Sequence, residues 1–296
     1  MNLEDLVADG WRRHAEEPQQ VASALADSVG FVAHEAQSQA FSRLLTHLYS
    51  EHLDDWSTGV KVLEALRERF EGGAPSGYRV ASTGIGTLRF IGGDADALTN
   101  LSHVERASAL ATSASALAWH DRLAAAVAAF QRAVEEAGAG IPDGSPALRA
   151  LATGGNNLAV ALERKVGRDE REDTAMVQIA DAALVYWKRA GGWLEVERAQ
   201  YRCARSRLQA GRPFDALECA QACLQTCEQN TAPSFEFFFA YALVAVAHRA
   251  AGQIAAFERY RALAEEYYRA LSPEERTACE DELGELGSNG EAIVGR

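Results

Sequence analysis

The stretch "ERAQYRCARSRLQAGRPFDALECAQACLQTCE", Glu197 to Glu228, decides the fold. It holds two apolar stripes and a break between them. Val196, just before the stretch, and Ala199, Cys203 and Leu208 in its first half recur at helical spacing, and Leu217, Ala220, Cys223, Leu224 and Cys227 do so in the second half. Gly211 suits the position just past a helix end, where backbone with positive φ is needed. Pro213 suits the first turn of the next helix, where its missing N–H removes no bond. The stretch is therefore a helical hairpin. One such pair cannot bury both stripes alone, so neighbours must stack on it.

The plan repeats to either side. "FFFAYALVAVAHRAAGQIAAFERYRALAEEYY", Phe237 to Tyr268, turns around Gly252, and "ATGGNNLAVALERKVGRDEREDTAMVQIADAAL", Ala152 to Leu184, turns around Gly167. Gly167 and Gly211 are 44 residues apart, and Gly211 and Gly252 are 41 apart. A period in this range signals stacked helical pairs. Helical periodicity continues through the rest of the chain, and strand alternation is almost absent. Helices are expected near 2–16, 19–28, 31–52, 55–71, 77–91, 95–118, 121–137, 146–166, 171–190, 193–210, 213–229, 234–251, 254–270 and 273–285, with a break within Asn100–His103. Residues 1–137 form a first set of pairs without a defensible signature, 146–285 form the repeats stacked on it, and 286–296 a flexible tail. The joint is "GAGIPDGSP", Gly138 to Pro146.

Gly211 and Ala216, five residues on, resemble the turn of the tetratricopeptide repeat family, and "NNLAVALERKVG" looks like a first helix of kinesin light chain repeats with one extra residue. The likeness is strongest over Pro146–Leu271. The departures are the long periods, Ala204 and Ala245 at the usual first-helix glycine, and Phe257 where an alanine is expected. The resemblance implies an all-α fold, a right-handed α-solenoid of antiparallel helix pairs. It also implies that first helices line a concave groove holding a peptide.

Composition narrows the functions. The chain has 296 residues and 48% hydrophobic content, enough for a large core, and only 7 prolines, which favours long helices. Its 29 basic and 42 acidic residues leave a net charge of −13, the wrong sign for a general nucleic-acid binder. "MNLEDLVADGW" lacks a basic start followed by an apolar run, so no signal peptide is expected. No stretch of ~18 apolar residues suggests a membrane span. A cytoplasmic location with reduced thiols is expected.

Enzyme-like motifs give way to plainer readings. "YRVASTGIGTLRFIGGD", Tyr78 to Asp94, holds Gly84 and Gly86, but Arg89 stands where a dinucleotide fingerprint needs its third glycine, and no strand precedes it. The stretch reads as a helix with small residues at a close contact, stopped by Gly92 and Gly93, with Asp94 capping the next helix. Cys219, Cys223 and Cys227 share a helical face with Cys203 on the preceding helix; a soft metal site is conceivable, but they read as buried core. "HEAQS", His34 to Ser38, has serine where a zinc protease needs its second histidine. His47, Glu51, His52 and Asp54 gather near an expected turn and could hold a metal, but polar helix ends often look like this and no third ligand is identified. "FEFFFAY", Phe235 to Tyr241, reads as packing for the last hairpin, and Trp187 and Trp193 as similar filler. No catalytic residue, metal or cofactor is expected.

The remaining candidate is a surface. Arg198, Arg202 and Arg205 fall on the side of their helix away from the apolar stripe, with Tyr201 beside them. Matching the tetratricopeptide resemblance from Gly211 places Arg198, Tyr201 and Arg205 in the groove, and matching from Gly167 adds Asn157, Arg164 and Lys165. Guanidinium forks bind carboxylates bidentately. The expected partner is a protein or peptide with acidic groups or a free C-terminus. The plainer reading is a solvated face, or arginines paired to Glu195, Glu197 or a neighbouring helix. The function expected is non-catalytic peptide binding, as a scaffold, chaperone-like or sensory module. The alternative is a metal-dependent helical phosphohydrolase using His103, His120, Asp121 and Asp181.

Overall fold

The computed structural model describes residues 2–71 and 75–287. The chain is all-α, with no strand among the described residues. It divides into two compact units, Met1–Gly154 and Gly155–Arg296.

The first unit contains α1 (Leu3–Arg13), α2 (Pro18–Ser28), α3 (Glu35–His47), α4 (Trp56–Arg69), α5 (Pro75–Ile91), α6 (His103–Trp119), α7 (Leu123–Ala137) and the start of α8 (Pro146–Arg164). A single π turn, Leu48–His52, extends α3. Phe41, Leu44, Leu45, Leu48, Leu63, Leu66 and Leu88 are fully buried in one core. Alanine and glycine let the helices approach closely. On α6, Ala107, Ala111 and Ala114 are wholly buried, and a Cβ on Gly154 would lie 2.3 Å from the Ala111 carbonyl oxygen. Gly84 on α5 is another close approach, since a Cβ there would meet Leu63 and Thr46.

The second unit contains the rest of α8, then α9 (Glu170–Ala190), α10 (Trp193–Gln209), α11 (Pro213–Gln229), α12 (Ser234–Ala250), α13 (Ile254–Arg269), α14 (Pro273–Thr277) and α15 (Glu280–Gly287). Gly211 and Gly252 adopt φ of +68° and +74°, and each turn closes with bonds back into the preceding helix, Arg212 N–H to Arg207 and Gln253 N–H to His248. Asp121 and Thr231 take the same conformation without being glycine, at φ of +56° and +50°. The helix α12 is buried nearly all round, and its Phe237 and Tyr241 stack on Tyr267 of α13 at 4.9 and 5.3 Å. Cys203, Cys223 and Cys227 are fully buried and Cys219 partly so, and burial raises the Cys203 and Cys219 thiols above their ordinary range.

Three expected helices differ most from the sequence reading. The expected helix 31–52 starts at Glu35 and ends in the π turn. The expected helix 95–118 starts only at His103, because Ser102 and Glu105 form a reciprocal cap there; Asp94 instead accepts from the Asp96 amide within a turn. The segment 273–285 is two short helices, and the second runs to Gly287 with Leu286 buried; residues 288–296 of the expected tail lie outside the described residues. The division between the units falls inside α8, and "GAGIPDGSP" links α7 to α8.

Candidate functional site

The helix α10 carries the arginine face. Its apolar side faces the core through Ala199, Cys203 and Ala204, which leaves Arg198, Tyr201, Arg202 and Arg205 for the opposite side. Each of these finds a partner from another helix. Arg198 donates to Glu236 of α12 at 2.7 Å. Arg202 pairs with Glu163 of α8, which also accepts from Ser206 at 2.7 Å. These two contacts tie the first helices of successive hairpins together.

Arg205 and Tyr201 do something else. The Arg205 fork takes both carboxylate oxygens of Glu285, at 2.5 and 2.7 Å, and the Tyr201 hydroxyl donates to Glu282 at 2.9 Å. Both carboxylates belong to α15. Arg249 of α12 donates to the Glu285 backbone carbonyl at 2.7 Å, so a cation also sits at the C-terminal end of α15. Burial pushes the Tyr201 hydroxyl well above its ordinary range, which keeps it a donor. Leu286 and Leu283 of α15 join Phe235, Phe238, Phe239 and Ala242 of α12 in one apolar cluster. An acidic amphipathic helix thus lies on α10 and α12, with its carboxylates on the arginine face and its leucines on the phenylalanines.

The other expected site residues are placed as follows. Asn157 and Arg164 are exposed on α8, and Lys165 pairs with Glu172 of α9. Sequence reading missed Glu163, Glu236, Arg249, Glu282 and Glu285. A signal was present in "EDELGELG", Glu280 to Gly287, where Glu282 and Glu285 fall at i, i+3 and Leu283 and Leu286 share the adjoining stripe.

The alternative hydrolase set is not assembled. His103 and His120 stand at opposite ends of α6, about 25 Å apart by helical rise. His103 contacts the Gly140 carbonyl and His120 the Ser50 carbonyl, while Asp181 pairs with Arg207.

No family model matches the chain. No curated protein matches it. Among solved structures, the chain is similar to a Podosopora anserina protein of the kinesin light chain kind with nearly identical TPR-like repeats, at 13% identity and a TM-score of 0.47, over 79% of this chain and 96% of that one.

Proposed function

We propose that the chain is a non-catalytic helical-repeat protein that binds an acidic amphipathic segment of a protein partner along α10 and α12, in competition with its own α15. The observation that carries this is the seating of Glu282 and Glu285 on Tyr201, Arg205 and Arg249. The internal contact defines the chemistry an external ligand would need. It would carry two carboxylates about one helical turn apart and an apolar stripe beside them. On this reading Arg198 and Arg202 organise the surface, and Arg205 with Tyr201 reads the ligand.

The full-length Glu282→Arg/Glu285→Arg variant tests this. Two new cations on α15 would face Arg205 and Arg249, which weakens the internal occupant. A labelled peptide with the sequence of residues 279–287 is the probe. A tethered competitor acts at an effective concentration of roughly millimolar, so the variant should bind the peptide at least ~10-fold more tightly than the wild type. Adding Arg205→Glu should abolish that gain. Equal binding by wild type and variant, or a gain that survives Arg205→Glu, would refute the proposal.

A further inference from the structure

In the first unit three histidines converge, one from the end of α1 and two from α3 and the π turn that extends it. His14 caps the end of α1, His47 is the last residue of α3, and His52 ends the π turn. Their ring centroids are 5.0 Å (His14–His47), 5.1 Å (His14–His52) and 4.9 Å (His47–His52) apart, close to an equilateral triangle. One nitrogen from each lies within 4.8 Å of the others. All three rings are half-buried, so the cluster is neither a solvated face nor a sealed core.

Two of the tautomers follow from acceptors that cannot donate. His14 Nδ1 lies 2.7 Å from the Trp11 carbonyl oxygen, so that nitrogen carries the proton and Nε2 keeps its lone pair. His47 Nδ1 lies 3.2 Å from a Glu51 carboxylate oxygen, which leaves His47 Nε2 likewise unprotonated. The other Glu51 oxygen accepts from Ser115 at 3.2 Å, so the carboxylate is held from both sides. A ligating imidazole whose second nitrogen donates to a carbonyl or carboxylate is the usual support for a metal. His52 Nε2 is 3.2 Å from His47 Nε2. Two nitrogens bound to a tetrahedral zinc at ~2.0–2.1 Å stand about 3.3 Å apart.

The π turn is what brings the pair together. On an α-helix, residues five apart point about 140° away from each other. The Leu53 amide instead bonds the Leu48 carbonyl at 2.9 Å, an i to i+5 closure that widens the turn and swings His52 back beside His47. Such turns are rare and occur often at functional sites. Trp11 lies against His14 and His47, and Trp119, 60% exposed, covers His52 at 5.5 Å.

We propose that His14, His47 and His52 bind one zinc ion through their imidazole nitrogens, with Glu51 as the residue that orients His47 and a fourth coordination position for water or an exogenous ligand. The imidazole-only donor set suits zinc, and three protein ligands with one open position is the ligand count of a site that can take an exogenous group.

The test uses the full-length protein stripped with chelator and titrated with zinc chloride, with Co²⁺ as the spectroscopic probe. The expected result is one zinc per chain and the intense visible absorption of four-coordinate Co²⁺. His14→Gln and His52→Gln should each lose stoichiometric binding, Glu51→Gln should weaken it by about 10- to 100-fold, and His103→Gln should leave it unchanged. Far-UV circular dichroism of each metal-free variant establishes that it folds. The wild-type Co²⁺ spectrum needs no variant. A weak octahedral spectrum, absence of saturable binding, or binding unaffected by His14→Gln would overturn the site and leave a stacked trio of histidines in its place.

Discussion

Glu197 should make the protein less stable at alkaline pH than at acid pH, and Glu197→Gln should remove that loss. Glu197 is 1% exposed; one carboxyl oxygen accepts from the Cys223 thiol at 2.9 Å, and the other has no hydrogen-bond partner among the described residues. Burial lifts its pKa from 4.5 to about 7, against the Cys223 bond, and the nearby Glu236 charge adds to the rise. One pKa unit is ~1.4 kcal/mol, so ionising Glu197 in the folded chain costs on the order of 3 kcal/mol. The folded state holds this proton more tightly than the unfolded state. The stabilisation is therefore complete below 4.5 and is lost as pH rises to about 7. Glutamine is neutral throughout. Urea unfolding of wild type and Glu197→Gln at about pH 5 and about pH 8 is the assay. The variant's advantage should grow by roughly 2–3 kcal/mol between the two pH values. An advantage that does not change with pH would refute the reasoning, whatever its size at either one.

Two further changes bear on packing and backbone. Gly154→Ala would drive a methyl to 2.3 Å from the Ala111 carbonyl oxygen, a contact that only backbone movement relieves; it should destabilise the first unit by about 1–3 kcal/mol, read as a lower melting temperature, and an unchanged one would show that α6 and α8 are less tightly apposed there. Thr231→Gly should stabilise the α11–α12 turn by roughly 1 kcal/mol, because a β-branched residue is held at φ of +50°; a fall in the urea midpoint would mean the threonine is not strained.

Much of the fold was legible because each hairpin carries its own signals. Gly211 and Gly252 mark helix ends by conformation, Pro213 marks a start, and the stripe Leu217–Cys227 marks the buried side. The turns at Asp121 and Thr231 adopt the same conformation without glycine, and there the flanking helical stripes marked the break instead. The arginine face of α10 was visible in its spacing. Its partners were not, because Glu236, Glu282 and Glu285 lie 38, 81 and 80 residues from the groups they contact. Periodicity describes one helix at a time and says nothing of which distant helix lies opposite. Part of the histidine cluster was hidden in the same way. The gathering of His47, Glu51 and His52 was visible in the sequence, but His14 is remote from them along the chain, and a π turn leaves no local pattern, so the third imidazole was not.

Hydrogen exchange on α15 in the wild-type chain, with and without a saturating acidic peptide, is the most direct test of the binding account. Displacement requires amides of 280–287 to exchange faster when the peptide is bound, while those of α10 and α12 stay protected. If the peptide binds and α15 keeps its full protection, the surface of Tyr201 and Arg205 is not where partners dock.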